Sequence, residues 1–215
     1  MKYKHIIWDW NGTLIDDRLF CIKIMNEVLK KRDMEAMTEE WFLDNFCFPV
    51  KDYYIKLGFN FEKESFDISG TEFINMYMAR CHELQLHQGA RDVLDYFKNL
   101  GLAQSLVSAS SQIMLDQILS NYDINDYFVR ILGTDNHYAY GKETLTKEWM
   151  KDLGFHPKEV LFIGDTIHDK DIADVVGSDC ILVSKGHVSK ERLQKTGAPV
   201  FEELIKLIDW LNGGN

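Results

Sequence analysis

The sequence predicts a doubly wound α/β fold with an all-helical insertion after its first strand. Three observations predict it. Short apolar runs alternate with amphipathic stretches through the C-terminal part of the chain, the rhythm of parallel strands joined by helical crossovers. One further apolar run stands at the N-terminus, cut off from the others by a long segment of helical periodicity. The length of 215 residues suffices for one core domain and a modest insertion.

Taken in order, Lys4 to Asp9 reads as a short buried strand and Asn11-Gly12-Thr13 as a turn. From Asp16 to about Leu86 the pattern is helical. Cys21, Ile24, Met25, Val28 and Leu29 recur at i, i+3, i+4, i+7 and i+8, and Phe73, Tyr77, Cys81 and Leu84 repeat the stripe after Gly70. No strand is expected in this stretch. Beyond Gly89, helices are expected over Arg91 to Leu100, Gln112 to Ser120, Lys142 to Leu153, Lys170 to Val176 and Phe201 to Leu211. Strands are expected over Ala103 to Ser108, Val129 to Leu132, Val160 to Ile163 and Cys180 to Val183. This is a Rossmann-like, parallel-sheet arrangement, in which ligands sit beyond the carboxyl ends of the strands.

Composition narrows the partners. With 24 basic and 34 acidic residues, the formal charge of -10 repels nucleic acid and anionic membrane. The Lys30-Lys31-Arg32 run reads as a solvated helix end. Cys21, Cys47, Cys81 and Cys180 are scattered, without zinc-site spacing, and read as buried, reduced thiols. The opening MKYKHIIWDW is too short in apolar residues for a signal core, and no apolar run approaches membrane-spanning length. A cytoplasmic protein is expected. Oligomeric state leaves no trace in the sequence.

Four strand ends carry chemistry-bearing residues. Asp9 followed by Asn11, Gly12 and Thr13 can set a carboxylate and consecutive backbone N–H groups around one phosphate, or can make an ordinary turn. Ser108 can donate to a phosphate oxygen or cap the next helix. Lys142 can neutralise phosphate charge or be solvated. Asp165 and Asp169 straddle a strand end and a helix start, where carboxylates suit magnesium or cap the helix.

The segments IIWDWNGTL, SLVSAS, Lys142 and LFIGDTIHD, in this order, resemble the four motifs of the haloacid dehalogenase superfamily over essentially the whole chain. The helical insertion resembles the small cap of its phosphoglycolate-phosphatase-like members. That resemblance implies a core domain of residues 1–15 and 88–215, a cap domain of 16–87, and a phosphatase acting on a small phosphorylated metabolite. It further implies Asp9 as the nucleophile that forms an aspartyl-phosphate. Phosphate would be bound at Trp10, Asn11, Ser108, Ala109 and Lys142. Mg2+ would be held by Asp9, the Asn11 carbonyl and Asp165, with Asp169 as a ligand through water or as support.

Asn11 departs from the pattern. Phosphatases of this superfamily usually have a second aspartate there, as acid and base, and a neutral amide cannot exchange a proton. A slow phosphatase with good leaving groups, a base borrowed from elsewhere, an altered residue and a phosphate-binding module without useful turnover are the alternatives. His168 and His187 are possible proton carriers, though each also reads as structural, and His87 falls at the return from the insertion. Trp41, Phe42, Phe46, Phe48, Tyr53 and Tyr54 could face a substrate but read better as the insertion's own core.

Overall fold

The computed structural model describes residues 2–135 and 141–213. β1 (His5–Trp8) is buried at every position, as its apolar run requires. It leads through β2 (Ile15–Asp16) into four helices, α1 (Arg18–Lys30), α2 (Glu39–Asn45), α3 (Val50–Lys56) and α4 (Phe66–Arg80), and returns through β3 (Gln85–Leu86). Alternation then sets in with α5 (Ala90–Asn99), β4 (Ala103–Ser111), α6 (Gln112–Leu119), β5 (Arg130–Thr134), α7 (Lys142–Leu153) and β6 (Val160–Gly164). It continues through α8 (Ile167–Val176), β7 (Asp179–Val183), α9 (Lys190–Gln194), β8 (Val200–Phe201) and α10 (Lys206–Leu211).

The six-stranded sheet runs β5-β4-β1-β6-β7-β8, with every neighbouring pair parallel. The chain winds outward from β1 to β5 and then crosses back to β6, so the strand order reverses beside β1. That is where a crevice opens at the carboxyl ends. Side chains alternate across the sheet: Ile6 and Trp8 join the core under α5 and α6, whereas Ile7 joins Val107 and Phe162 on the other face. The helices between β2 and β3 have a core of their own, with Met25, Leu29, Phe42, Tyr53, Tyr54 and Phe66 among its members.

Five sequence expectations need correction. β2 and β3 pair antiparallel as a two-stranded ribbon, Ile15 opposite Leu86, at the two ends of the stretch expected to be all helical. Two residues per strand are too few to show a period of two. Phe201 lies in β8, opposite Val183, and not in a helix, which starts only at Lys206. α8 begins three residues early because Thr166 and Asp169 form a capping box at its start. All four cysteines are free, but only Cys81 and Cys180 are buried; Cys21 and Cys47 are half-buried. The basic run ending α1 is also more than solvated, since Arg32 pairs with Glu64 and Glu72 and Lys31 with Glu72. Among the described residues, no helix is long and apolar enough to cross a membrane.

Candidate active site

Parallel pairing of β1 with β6 continues one step past Trp8, where the Asp9 N–H donates to the Ile163 carbonyl at 2.8 Å. This holds the Asp9 side chain at the mouth of the crevice. Lys142, the first residue of α7, donates from Nζ to Asp9 Oδ1 and to Asp169 Oδ1, each at 2.5 Å. The Thr13 hydroxyl lies 3.2 Å from both Asp9 Oδ2 and Asp165 Oδ1 and can donate to either. Carboxylate oxygens of Asp9, Asp165 and Asp169 come within 4.8 Å of one another, and all three residues are buried.

Three carboxylates around one ammonium leave surplus negative charge in a place with little water to screen it. Burial, reinforced by Asp169 and Asp165 and opposed by Lys142, pushes the Asp9 carboxyl up to about 8. Burial works against charged Lys142, but Asp169 and Asp9 hold it protonated above its ordinary range. An all-oxygen set with excess negative charge fits a hard divalent cation. Asp165 and Asp9 have lone pairs to offer. Asp169 is more committed, since its Oδ2 already accepts from the Thr166 N–H (3.0 Å), the Thr166 hydroxyl (2.6 Å) and the Asp165 N–H (3.2 Å). Capping and support at the cluster therefore hold together for this residue.

A second buried network adjoins the first through His187. Its N–H (2.7 Å) and ring Nδ1 (2.9 Å) meet Asp165 Oδ2, and its Nε2 lies 3.2 Å from Asp17 Oδ1. Burial disfavours a charged ring, yet Asp17 and Asp165 raise His187 well above the ordinary imidazole value. Asp17 in turn accepts from the Asn11 amide (2.7 Å), the Gly12 N–H (2.9 Å) and the Tyr77 hydroxyl (2.9 Å). Against the cost of burial, His187, Asn11 and Tyr77 hold its carboxyl below the ordinary range. The other end of the Asn11 amide is fixed too, its Oδ1 accepting from the Ser110 hydroxyl at 3.0 Å.

The loop can pass this closely only because position 12 has no side chain. Gly12 has φ +72°, and a Cβ there would stand 2.3 Å from Asp165 Oδ2 and 2.4 Å from His187 Nδ1.

Of the expected phosphate-binding residues, Trp10 offers only its backbone, because its indole is fully buried in the core. Ser108 is buried within β4 and accepts from the Ser110 N–H at 3.1 Å; the cap of α6 is Ser111, not Ser108. Ala109 and Ser110 face the crevice. His168 stacks on Phe48 at 4.8 Å, and burial lowers its pKa. His87 directly follows β3, with Nε2 3.0 Å from the Gly12 carbonyl. Sequence reasoning missed Asp17, Tyr77 and Ser110. Asp17 reads as an ordinary acid opening a helix, yet it makes no side-chain cap to α1 and turns its carboxylate to the site.

Above this polar floor lies a cavity of about 170 Å3, walled by side chains of the helical segment and by Met114. Phe42, Phe46, Phe48, Tyr53 and Tyr54 all face it, whereas Trp41 does not. Phe42, Tyr53 and Tyr54 serve both the helices' core and the cavity wall, so the two readings of these aromatics are compatible.

The chain matches the family model described as haloacid dehalogenase-like hydrolase over residues 6–183, and it belongs to that family. Among curated relatives, the phosphoglycolate phosphatase of Pseudomonas fluorescens (strain Pf0-1) is 28% identical over 147 residues, covering 66% of this chain and 52% of that protein. The phosphoglycolate phosphatase of Pseudomonas savastanoi pv. phaseolicola is 24% identical over 142 residues, covering 65% and 52%. The chain thus spans about half the length of these curated relatives. Among solved structures, a predicted phosphatase from Clostridium acetobutylicum superposes with a TM-score of 0.81 at 20% identity, covering 99% of this chain and 100% of that one. A predicted phosphoglycolate phosphatase from Haemophilus somnus 129pt gives 0.78 at 16% identity, covering 98% and 99%. Both likenesses are likenesses of fold.

Proposed function

We propose that the chain is a magnesium-dependent phosphatase that acts on a small phosphorylated metabolite through an aspartyl-phosphate on Asp9. In this reading residues 16–87 form a helical cap over a core of 1–15 and 88–215. The observation that carries it is the buried trio of Asp9, Asp165 and Asp169 gathered around Lys142 on the cavity floor. Such unbalanced burial of charge is costly as mere structure and suits an oxygen cage for a cation.

Asp9, the Asn11 backbone carbonyl and Asp165 would hold Mg2+, with Asp169 acting through water. The ion would neutralise the surplus charge so that an anionic carboxylate can meet an anionic phosphate. An Asp9 oxygen attacks phosphorus while the bond from phosphorus to the alcohol oxygen breaks; water then cleaves the aspartyl-phosphate and regenerates the carboxylate. Lys142, the Ser108 hydroxyl and the backbone of Trp10, Asn11 and Ala109 hold the phosphoryl oxygens.

No proton comes from position 11, since Asn11 is an amide tied to Asp17 and Ser110. Asp17 is held ionised, and both ring nitrogens of His187 are turned to carboxylates. Losing an acid of this kind costs about 10²- to 10⁴-fold in rate. Turnover is therefore slow unless the leaving group needs no proton. The same locked amide favours a second reading, a phosphate-binding module without useful turnover.

The test is phosphate release from a phosphoester panel with magnesium. Asp9→Asn and chelation should each abolish it. Asn11→Asp alone should help little, because the new carboxylate faces ionised Asp17. The exchange Asn11→Asp with Asp17→Asn keeps the hydrogen bond with its direction reversed and should raise the rate. Undiminished turnover in Asp9→Asn would overturn the proposal; binding of fluoroberyllate with no hydrolysis of any ester would favour the second reading.

A further inference from the structure

The cavity above the floor is lined by Phe46, Phe48, Tyr53, Phe73, Ile74 and Met114 among other apolar side chains. Among the described residues that line it, the cationic ones are Lys142 and His187. Lys142 is already shared by Asp9 and Asp169, and His187 by Asp17 and Asp165. A substrate with a second anionic group, such as phosphoglycolate, would therefore bury a carboxylate against aromatic rings with no counter-charge, which is strongly disfavoured. At about 170 Å3, polar floor included, the space is comparable to an engineered apolar cavity of ~150 Å3 that accepts one benzene ring, and so suits an organic part of about one ring.

An independent observation concerns the leaving oxygen. The Asn11 amide is fixed between Asp17 and Ser110 and brings no proton to it. An alkoxide leaves badly without one, being about as basic as hydroxide, from water of pKa near 15.7. A phenolate, whose conjugate acid has a pKa of about 10, leaves far more readily.

We propose that the site takes the phosphate monoester of a small phenol, with the ring against Phe46, Tyr53 and Phe73 and the phosphate on Asp9. This rests on the phosphatase reading and narrows it. In the step itself, an Asp9 oxygen forms a bond to phosphorus as the bond to the aryl oxygen breaks. The electron pair departs on the phenolate, which takes its proton from water.

Two measurements on the full chain separate the inference from the reading beneath it. The first compares kcat/KM for phenyl phosphate, phosphoglycolate and acetyl phosphate with magnesium. Phenyl phosphate should lead each of the others by about tenfold or more. Because an aryl ester is also intrinsically more reactive than the alkyl ester of phosphoglycolate, though less so than acetyl phosphate, the second compares binding of two analogues that are not cleaved, benzylphosphonate and phosphonoacetate. Benzylphosphonate should bind about tenfold tighter, and Ile74→Arg, which adds a cation to the wall, should bring that ratio toward one or invert it.

Equal or tighter binding of phosphonoacetate by the unmodified chain would overturn the inference and leave the phosphatase reading standing. So would a lead for phosphoglycolate or acetyl phosphate. Hydrolysis of none of the three, with benzylphosphonate still the tighter ligand, would sink the phosphatase reading and keep the aromatic preference of the cavity.

Discussion

The two ends of one sheet carry charge in opposite ways. At the carboxyl ends, Asp9, Asp17, Asp165 and Asp169 are buried and share two cations, Lys142 and His187. At the amino ends, Asp179 opens β7 and meets Lys2, Lys158 at 2.9 Å and the Tyr3 hydroxyl at 2.9 Å, while Lys4 meets Glu159 at 2.7 Å. These lysines are more than half exposed. Exposed pairs gain little and cost little. Buried, unbalanced carboxylates are expensive, so their presence at one end of the sheet points to a use other than stability.

Four measurements sharpen that contrast. Lys142→Met should do the most damage, because Asp9 and Asp169 lose their shared cation. A loss of about 3–5 kcal/mol is expected by urea unfolding in the presence of a chelator. A loss below about 1 kcal/mol would mean that the two ends are energetically alike.

His187→Gln should cost about 1.5–3 kcal/mol near neutral pH and should also change the pH profile. The folded pKa of His187 is raised, so its contribution is complete below the ordinary value of about 6.5 and disappears as pH rises through the raised one. Asp17 runs the other way, since its folded pKa is depressed. It contributes above the ordinary value of 3.8 and loses that contribution as pH falls through the folded value. The unmodified chain should therefore lose stability more steeply above about pH 6.5 than the variant, which keeps only the decline that the raised Asp9 carboxyl gives up to about pH 8. An unchanged alkaline slope would remove His187 from this account.

Thr13→Val keeps the shape but deletes the hydroxyl between Asp9 and Asp165, and about 1 kcal/mol is expected from thermal or urea unfolding. Asp179→Asn should matter least, at under about 1 kcal/mol. Burial opposes the shift, but Lys2, Lys158 and Tyr3 draw the Asp179 carboxyl down to about 2. Its contribution is present above the ordinary value of 3.8 and falls away as pH drops through about 2. Added salt should erase most of it; persistence at high salt would show that this end is better shielded than its exposure implies.

The core was legible because its strands are buried on both faces and its helices are amphipathic, two periods that local sequence displays. Asp9, Lys142, Asp165 and Asp169 could be found because each sits at a strand end or helix start. The ribbon of β2 and β3 and the edge strand β8 escaped because two residues carry no period. Asp17 and Tyr77 escaped for another reason: they lie 6 and 66 residues from Asn11, and only folding brings all three within hydrogen-bonding distance. The aromatics of the helical segment do form its core, as read, and Tyr53 and Tyr54 line the cavity as well.

The contact between Asn11 and Asp17 also shapes how this chain can change. Placing aspartate at position 11 first would set two carboxylates about as far apart as the present 2.7 Å bond, with His187 still holding Asp17 charged. Placing asparagine at 17 first would turn an amide toward an amide and take from His187 one of its two anions. Each single step disturbs this contact, so the amide at position 11 is hard to change alone. Under the proposed phosphatase reading, a faster descendant would need both substitutions together, or a third that first loosens the hold of His187 on Asp17.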